Sequence, residues 1–366
     1  MNSSIAQDSL KIMTYNLEGM KPGTDPQTRI YHTIQYLKQL NPDIIGLQEI
    51  NESPSTGSDN QAQMIVDSLT AYFGYPFYKY IGFTHLSWDN QFNEYVGIIT
   101  KHPAIEVGYF DLVKGAFPRK ILWNRINTPL GMINFFNTHL DHKTPEIRVQ
   151  QVQEIISYVN QKDLSSPAIA SVLTGDFNDE PHTSTIQSLT NTGSTTYFND
   201  SYRIANPTLQ GYTSSSQIPN RRIDYIFFKN TGQLSITSSR VVMDQPYVGI
   251  EYPSDHYGVM TIFTKKVARV AREINSTIPV NMELRQNYPN PFNPTTTIHF
   301  TIPSTSFVTL KVYDMLGREI SSLVNEEKSA GNYQEWFDAN GLSSGIYMYK
   351  ITACNSTISK RMMLMK

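Results

Sequence analysis

Polar groups of two kinds recur where the apolar runs of this sequence stop. Asn16 follows Leu10-Lys11-Ile12-Met13-Thr14-Tyr15, Glu49 follows Asp43-Ile44-Ile45-Gly46-Leu47-Gln48, and His139 closes Met132–Thr138. Asp176 and Asn178 come after Ala168–Leu173, Asp224 sits in Arg222–Phe228, and the pair Asp255-His256 stands just before Tyr257–Thr264. Singly, each is as well explained as a cap, a turn or a satisfied core polar group. Their common place at strand ends is what singles them out. Glu49, Asp176 and Asp255, with Asn16 and Asn178, offer only hard oxygen ligands, which suits Mg²⁺ or Mn²⁺ rather than zinc. The histidines are too few and wrongly spaced for a zinc cage. His139 and His256 suit proton transfer, because imidazole titrates near neutral pH. A buried carboxylate would hold each ring and favour its charged form, and Asp224 and Glu94 are the candidates. A cation, an acid, a base and amide donors are the equipment for hydrolysing a phosphate ester, where positioning and charge stabilisation supply most of the rate.

The elements that must position these groups follow from periodicity. Alternation in Leu10–Asn16 and the apolar run Asp43–Glu49 predict strands, as do Glu94–Thr100, Arg119–Ile126, Met132–Thr138, Arg222–Phe228, Leu234–Met243 and Tyr257–Thr264. Ile30, Ile34 and Leu37 share one face of a helix over Asp25–Leu40, stopped by Asn41-Pro42. A second helix is expected over Gln61–Tyr72, and a third from Thr144 as cap and Pro145 at its first position to about Asn160. Ala168–Leu173 reads as a buried strand. Alternation beyond it places Asp176 and Asn178 on one side and turns Phe177 into the core.

Six segments in this order carry a resemblance. They are Thr14-Tyr15-Asn16-Leu17, Gln48-Glu49, Asn137-Thr138-His139-Leu140, Gly175-Asp176-Phe177-Asn178, Arg222-Ile223-Asp224-Tyr225-Ile226 and Ser254-Asp255-His256. Over residues 8–265 the chain resembles the endonuclease/exonuclease/phosphatase superfamily. The resemblance implies an α/β fold, a four-layer sandwich of two packed β-sheets with outer helices and the site at one edge. It implies Glu49 as principal metal ligand, Asn16 as ligand or phosphate contact, and Asp255 in the metal cluster. Asp176 would position the attacking water while Asn178 steadies the transition-state oxygen. His256 would pair with Asp224 as general base or phosphate contact, and His139 would pair with Glu94, as in pancreatic-type deoxyribonucleases and bacterial sphingomyelinases. Arg119 matches a phosphate-contacting arginine more loosely and is equally read as a surface arginine on a strand.

Departures narrow the branch. His139 stands where abasic-site endonucleases usually place a tyrosine, and Pro219–Asp224 lacks the Trp-Cys signature of inositol-polyphosphate phosphatases. Gly258 follows the Ser254–Tyr257 segment where a proline is frequent. Trp88, in the polar loop before Glu94, either caps the sandwich or stacks on a base, a sugar or a lipid.

At 366 residues the chain is long enough for two or three domains, and its 30 basic against 32 acidic residues leave a formal charge of −2. A global electrostatic grip on nucleic acid is therefore not indicated. The single Cys354 rules out an intramolecular disulfide and a cysteine-based metal knuckle. No stretch is long and apolar enough to span a bilayer. Residues 1–7 read as the remnant of a leader or a frayed terminus, with Ser4-Ile5-Ala6 in the small-x-small pattern that precedes signal cleavage.

After Thr264 the composition turns charged and then polar, and residues 266–283 read as a linker. Short strands with Gly-containing turns then argue a small all-β, immunoglobulin-like sandwich. Asn287-Tyr288-Pro289-Asn290-Pro291-Phe292-Asn293-Pro294, Val312–Glu319, Gly345–Lys350 and the closing Lys360–Lys366 resemble the C-terminal sorting domain of the type IX secretion system over 284–366. A carbohydrate-binding or adhesive β-module is the alternative. The resemblance implies the type IX machinery as partner, passage through the outer membrane of a Bacteroidota-like cell to the surface or medium, and removal of the tail. The whole predicts a secreted, monomeric Mg²⁺- or Mn²⁺-dependent phosphoesterase acting on the diesters of nucleic acid or of a phospholipid headgroup. The rival is an inactive scaffold exported as a binding module.

Overall fold

Strand alternation and helix faces sort the side chains of the longer, N-terminal part into three apolar layers, and the architecture follows from them. The computed structural model describes residues 9–54, 60–191, 197–230, 232–265 and 281–365. The expected leader remnant, and residues 266–280 of the expected linker, lie outside the described residues. The chain divides into two compact units, 1–268 and 269–366.

In the first unit the elements run β1 (Ser9–Asn16), α1 (Pro26–Leu40), β2 (Ile44–Glu52), α2 (Gln61–Phe73), β3 (Tyr78–Ser87), β4 (Phe92–Thr100), β5 (Ala104–Leu112), β6 (Arg119–Thr128) and β7 (Gly131–His139). They continue α3 (Pro145–Ser165), β8 (Ala170–Asp176), α4 (Ser184–Thr190), β9 (Asn199–Asp200), α5 (Ser201–Ala205), β10 (Asp224–Asn230), β11 (Leu234–Val242) and β12 (Gly258–Lys265). Two six-stranded sheets form, ordered β11-β12-β1-β2-β4-β3 and β5-β6-β7-β8-β10-β9. Leu10, Ile12, Ile44 and Ile98 of the first sheet meet Ile133, Phe135, Val172 and Ile226 of the second in the central layer. Outside the first sheet, Met13, Tyr15, Ile45 and Leu47 pack on Ile30, Ile34 and Leu37 of α1 and Ile65 and Leu69 of α2. Outside the second, Trp123, Phe136 and Leu173 pack on Val152, Ile155 and Val159 of α3 and Ile186 and Leu189 of α4. This is a four-layer α/β sandwich.

Local chemistry sets the ends. The Asp25 side chain accepts from the Thr28 N–H, and Asn41 ends α1 in the left-handed region at φ +50°. Thr144 occupies the cap position of α3 but makes no side-chain cap bond. Asp141 takes over, its Oδ1 accepting from the N–H groups of Lys143 (2.9 Å) and Thr144 (2.7 Å).

Behind the strand ends a buried polar lock joins the sheets. Asn137 Nδ2 donates to the carbonyls of Leu47 (2.8 Å) and Gly97 (2.7 Å), and its Oδ1 accepts from Gln48 Nε2 (2.7 Å) and Thr174 Oγ1 (3.0 Å). Every hydrogen-bonding position of the Asn137 amide is thus filled across the sheet interface, so the network rigidifies rather than destabilises. Gly46 is required beside it, because a Cβ there would lie 2.2 Å from Thr174 Oγ1 and 2.5 Å from Asn137 Oδ1. Gly46→Ala should lower the unfolding free energy by about 1–3 kcal/mol through overpacking, read as a shifted urea midpoint. An unchanged midpoint would show that the sheets can part here.

The second unit has β13 (Glu283–Leu284), β14 (Thr295–Ile302), β15 (Ser306–Tyr313), β16 (Glu319–Lys328), β17 (Gly331–Asp338), β18 (Gly345–Ala353) and β19 (Ser356–Leu364). Sheets β13-β14-β17 and β16-β15-β18-β19 enclose one core that includes Ile298, Phe300, Phe337, Leu310, Val312, Tyr349 and Ile351. It is a small all-β domain. Glu283 already belongs to a strand, so the expected linker boundary falls inside an ordered element. Of the two aromatics in the Asn- and Pro-rich entry, Phe292 is buried while Tyr288 is exposed.

Candidate active site

Along the inner faces of the central strands the side chains pass from apolar to polar to ionisable. On β8 the inward series is Ala170, Val172, Thr174, Asp176; on β7 it is Ile133, Phe135, Asn137, His139; on β1 it is Leu10, Ile12, Thr14, Asn16. Register then makes a row: His139 pairs with Asp176 in the parallel ladder, and Asp224 of β10 pairs with the same Asp176 in the antiparallel one. Neighbouring strands lie about 4.8 Å apart, so these three side chains are forced together.

Glu49 joins them by an irregularity. Alternation would turn it away from the central layer, but a β-bulge lies between Leu47 and Ile50, and Glu49 adopts φ +53°. A non-glycine residue held in the left-handed region stores strain of about 1–3 kcal/mol, and here it re-aims a carboxylate into the site. Asn178 is also placed by a turn. The strand ends at Asp176, Asn178 has φ +52°, and its N–H donates to Asp176 Oδ1 at 2.8 Å. Phe177 is buried as alternation requires, whereas Asn178 reaches the site through this side-chain-to-backbone turn.

Asn16 does not present an oxygen. Its Oδ1 accepts from the Glu18 N–H at 2.9 Å, which fixes the amide with Nδ2 donating to Glu49 Oε1 (2.9 Å) and Asp176 Oδ2 (3.1 Å). It clamps two carboxylates in this arrangement, where a metal ligand or phosphate contact was expected. Asp255 is displaced too. Its half-exposed side chain lies 3.9 Å from His256 Nε2, and it lines a second cavity with Glu18, Lys21 and Arg29. The clusters are half-buried Glu49 with buried His139 and Asp176, and Asp176 with Asp224 and His256, all buried.

The two histidines differ. His256 Nδ1 lies 2.9 Å from Asp224 Oδ2, and its Nε2 is 3.8 Å from Asp176. Burial alone would depress its pKa, but the Asp224 carboxylate outweighs burial, and Asp176 and Asp255 add to it, so the ring is held well above its usual value. His139 was expected on Glu94; an arginine stands between them. Arg119 Nη1 donates to His139 Nδ1 at 3.0 Å and lies 3.6 Å from Glu94 Oε1, and His85 is the histidine beside Glu94, at 3.8 Å. Arg119 is buried, not a surface residue. Guanidinium has no acceptor, so Nδ1 must accept and the ring proton of His139 sits on Nε2. Burial, with Arg119 next, pushes its pKa well below the ordinary histidine value. Asn178 Nδ2 lies 3.1 Å from that Nε2. One Asn178 N–H donates to the Leu140 carbonyl at 3.1 Å; the other meets the His139 Nε2–H with no acceptor at hydrogen-bond distance, a setting that an anionic oxygen would satisfy.

Burial, with the Glu94 charge behind it, pushes the Glu49 carboxyl up to about 8. Burial and then Asp224 push Asp176 up to about 6. The groups open into a cavity of about 550 Å³ whose lining includes Glu49, Arg119, His139, Asp176, Asn178 and His256 together with Trp88 and Phe117. The arginine relay and Phe117 were missed from sequence, whereas Trp88 was read there as a cap or a stacking group. Arg119 opens a strand, so its inward position was predictable; its partner was not.

A two-sheet sandwich with buried carboxylates and imidazoles at one end of its strands defines a class of hydrolase scaffold. The chain belongs to the Endonuclease/Exonuclease/phosphatase family, whose pattern matches residues 13–256. Residues 286–365 match a secretion system C-terminal sorting domain. No curated protein matches the chain. Among solved structures, it is similar to an endonuclease/exonuclease/phosphatase family protein from Leptotrichia buccalis C-1013-b, at 23% identity over 69% of this chain and 98% of that one, with TM-score 0.56. A mannosyl-6-phosphatase from Bacteroides thetaiotaomicron VPI-5482 is similar at 20% identity over 70% of this chain and 99% of the other, with TM-score 0.57. Truncated TDP2 from Caenorhabditis elegans follows at 16% identity over 70% and 97%, with TM-score 0.52. At these identities the likenesses speak for the fold alone.

Proposed function

We propose that the chain is an exported phosphoester hydrolase that works with a divalent cation. The observation that carries this reading is the row His139–Asp176–Asp224 with Glu49 turned into it by the bulge. The donor set fits a hard cation. Among the described residues, the basic side chains within 4 Å of the Glu49 and Asp176 carboxylates are His139 and His256, with no lysine or arginine. Glu49 and Asp176 would hold the ion, with Asp255 as a more distant acidic neighbour, and Mg²⁺ or Mn²⁺ suits the oxygens. When bound, such an ion would supply positive charge to the phosphoryl oxygens as the transition state forms.

The chain's own residues would do the rest. Asp176 Oδ2 accepts the proton of an attacking water, held in place by the Asn16 N–H. His139 Nε2–H and Asn178 Nδ2–H donate to a phosphoryl oxygen. His256, fixed through Nδ1 by Asp224, presents Nε2 to the phosphate, which supports phosphate contact over general base. Arg119 acts through His139 and Glu94 instead of on substrate. The finer proposal is a phosphodiester as substrate, of nucleic acid or a phospholipid headgroup. The second reading is a monoester, favoured by the likeness to a mannosyl-6-phosphatase. The sorting tail supports delivery to the cell surface or medium by the type IX machinery, with the catalytic domain at 8–265, the tail at 284–366, and a monomer as the working form. An inactive binding module is disfavoured because Glu49, His139, Asp176, Asn178, Asp224 and His256 are all present and assembled.

Plasmid DNA, RNA, sphingomyelin and a nitrophenyl phosphomonoester, each with Mg²⁺, Mn²⁺ or EDTA, form the test. EDTA should abolish turnover of at least one ester and added Mg²⁺ or Mn²⁺ should restore it. Turnover indifferent to EDTA would remove the cation from the proposal, and no turnover of any ester would remove the hydrolase.

A further inference from the structure

Part of the cavity wall consists of residues that hydrolysis leaves unused. Trp88 comes from the turn between β3 and β4, His85 from β3, Phe117 from the loop before β6, and His142 from the loop after β7. The Phe117 ring lies between the two imidazoles, its centroid 4.3 Å from His85 at 15° and 5.5 Å from His142 at 18°. The loop that carries it is pinned. Ala116 N–H donates to Asp141 Oδ2 at 2.6 Å, while Glu154 and Gln151 of α3 hold the Val113 N–H (2.7 Å) and carbonyl (2.9 Å). Gly115 allows that close approach, since a Cβ there would stand 2.2 Å from the Asp141 oxygen. The wall is therefore built before any substrate arrives, which lowers the ordering cost of binding. Trp88, Asp89 and Asn90 all have positive φ (49°, 55° and 64°), a costly run for non-glycine residues, found here at the rim of a site. The Trp88 indole N–H is buried without a partner.

We propose that this wall seats the organic group carried by the phosphate, and that the group is a single sugar ring. The proposal rests on the hydrolase reading for the position of the phosphate, and on the monoester form of that reading instead of the diester. The Trp88 indole surface suits the C–H face of a sugar, while the orphan indole N–H, the imidazole edges, Asn90 and Asp89 suit its hydroxyls; Phe117, covered on both faces, fixes the imidazoles. An acyl chain would leave those polar groups unpaired at a cost. A polyanion finds one cationic side chain besides the histidines in the lining, Arg119, and that is committed to His139 and Glu94. About 550 Å³ is the scale of a small-ligand site. The ring belongs to a free sugar phosphate or to the ribose of a mononucleotide.

The test uses the full chain with Mg²⁺ and four substrates: a hexose 6-phosphate, a nucleoside 5′-monophosphate, ring-free glycerol phosphate, and sphingomyelin vesicles. Binding of the hexose phosphate is also titrated by calorimetry with the protein and Mg²⁺. A ring phosphate should have the highest kcat/KM, the better of the two naming the source. Trp88→Ala should lower the ratio of ring-phosphate to glycerol-phosphate kcat/KM at least about tenfold. Trp88→Phe, which keeps the flat surface and loses the N–H, should fall between. A ratio unmoved by Trp88→Ala, or a preference for vesicles, overturns the subsite while leaving hydrolysis intact. Binding of the hexose phosphate that depends on Trp88, without turnover, supports the subsite and overturns the hydrolase.

Discussion

Glu49→Gln should give a protein that is inactive yet more heat-stable than its parent when metal is absent. The carboxyl is held in the site by the bulge, within hydrogen-bond reach of Asn16 Nδ2, with burial and the Glu94 charge pushing it up to about 8. Glutamine keeps the shape and an oxygen for Asn16 but removes the charge. An acid whose folded-state pKa lies above its unfolded value, about 4.3, binds more protons folded than unfolded. Stability is then lost as pH rises from that unfolded value toward about 8, so the advantage of Gln should be absent near pH 4 and largest above pH 8. The parent should gain melting temperature on adding Mg²⁺ by mass action, and the variant should not. Turnover should fall by about 10³-fold. Calorimetric melting with and without Mg²⁺ across this pH range reads all of it. A variant that keeps the Mg²⁺-dependent rise would take Glu49 out of the cation site.

How much of this was legible in the sequence depends on the length scale of each cause. The sandwich was legible because period-two alternation in Leu10–Asn16, Met132–His139 and the strand ending at Asp176 fixes which side chains face the central layer. The same period carried Asn16, His139 and Asp176 to one edge. Where the backbone leaves the regular strand, alternation stops informing. Glu49 depends on a bulge and Asn178 on a left-handed turn, and neither has a glycine to announce it. The strand Ala104–Leu112 was not read at all: as a sheet edge it leaves Ile105, Val107 and Tyr109 exposed and mixes them with Glu106, Gly108 and Asp111. The helices Ser184–Thr190 and Ser201–Ala205 are too short for a periodic signal. Partner choice was the least legible, because the Glu94–Arg119–His139 relay is a matter of three strands meeting and of one long side chain reaching between two others.

That relay supports the second large effect. Arg119→Met should lower the unfolding free energy by about 3–5 kcal/mol, because it strips the buried Glu94 carboxyl of its cation; His85, at 3.8 Å, is kept neutral by burial, its pKa pushed down to about 4. The added change Glu94→Gln should recover most of that loss, since it removes the stranded charge. It should not recover activity. Without a donor at Nδ1, His139 is free to move its proton there, and its Nε2 then accepts from Asn178 Nδ2, which already stands 3.1 Å away. Both N–H donors aimed at the phosphoryl oxygen are spent on one internal bond, and kcat should stay about 10²-fold down. Nitrogen-15 shifts of the His139 ring read the tautomer directly: proton on Nε2 in the parent, on Nδ1 in the double variant. Urea unfolding reads the stability. A double variant that regains both stability and turnover would reduce Arg119 to a structural counter-ion, and His139 would need no tautomer lock to act.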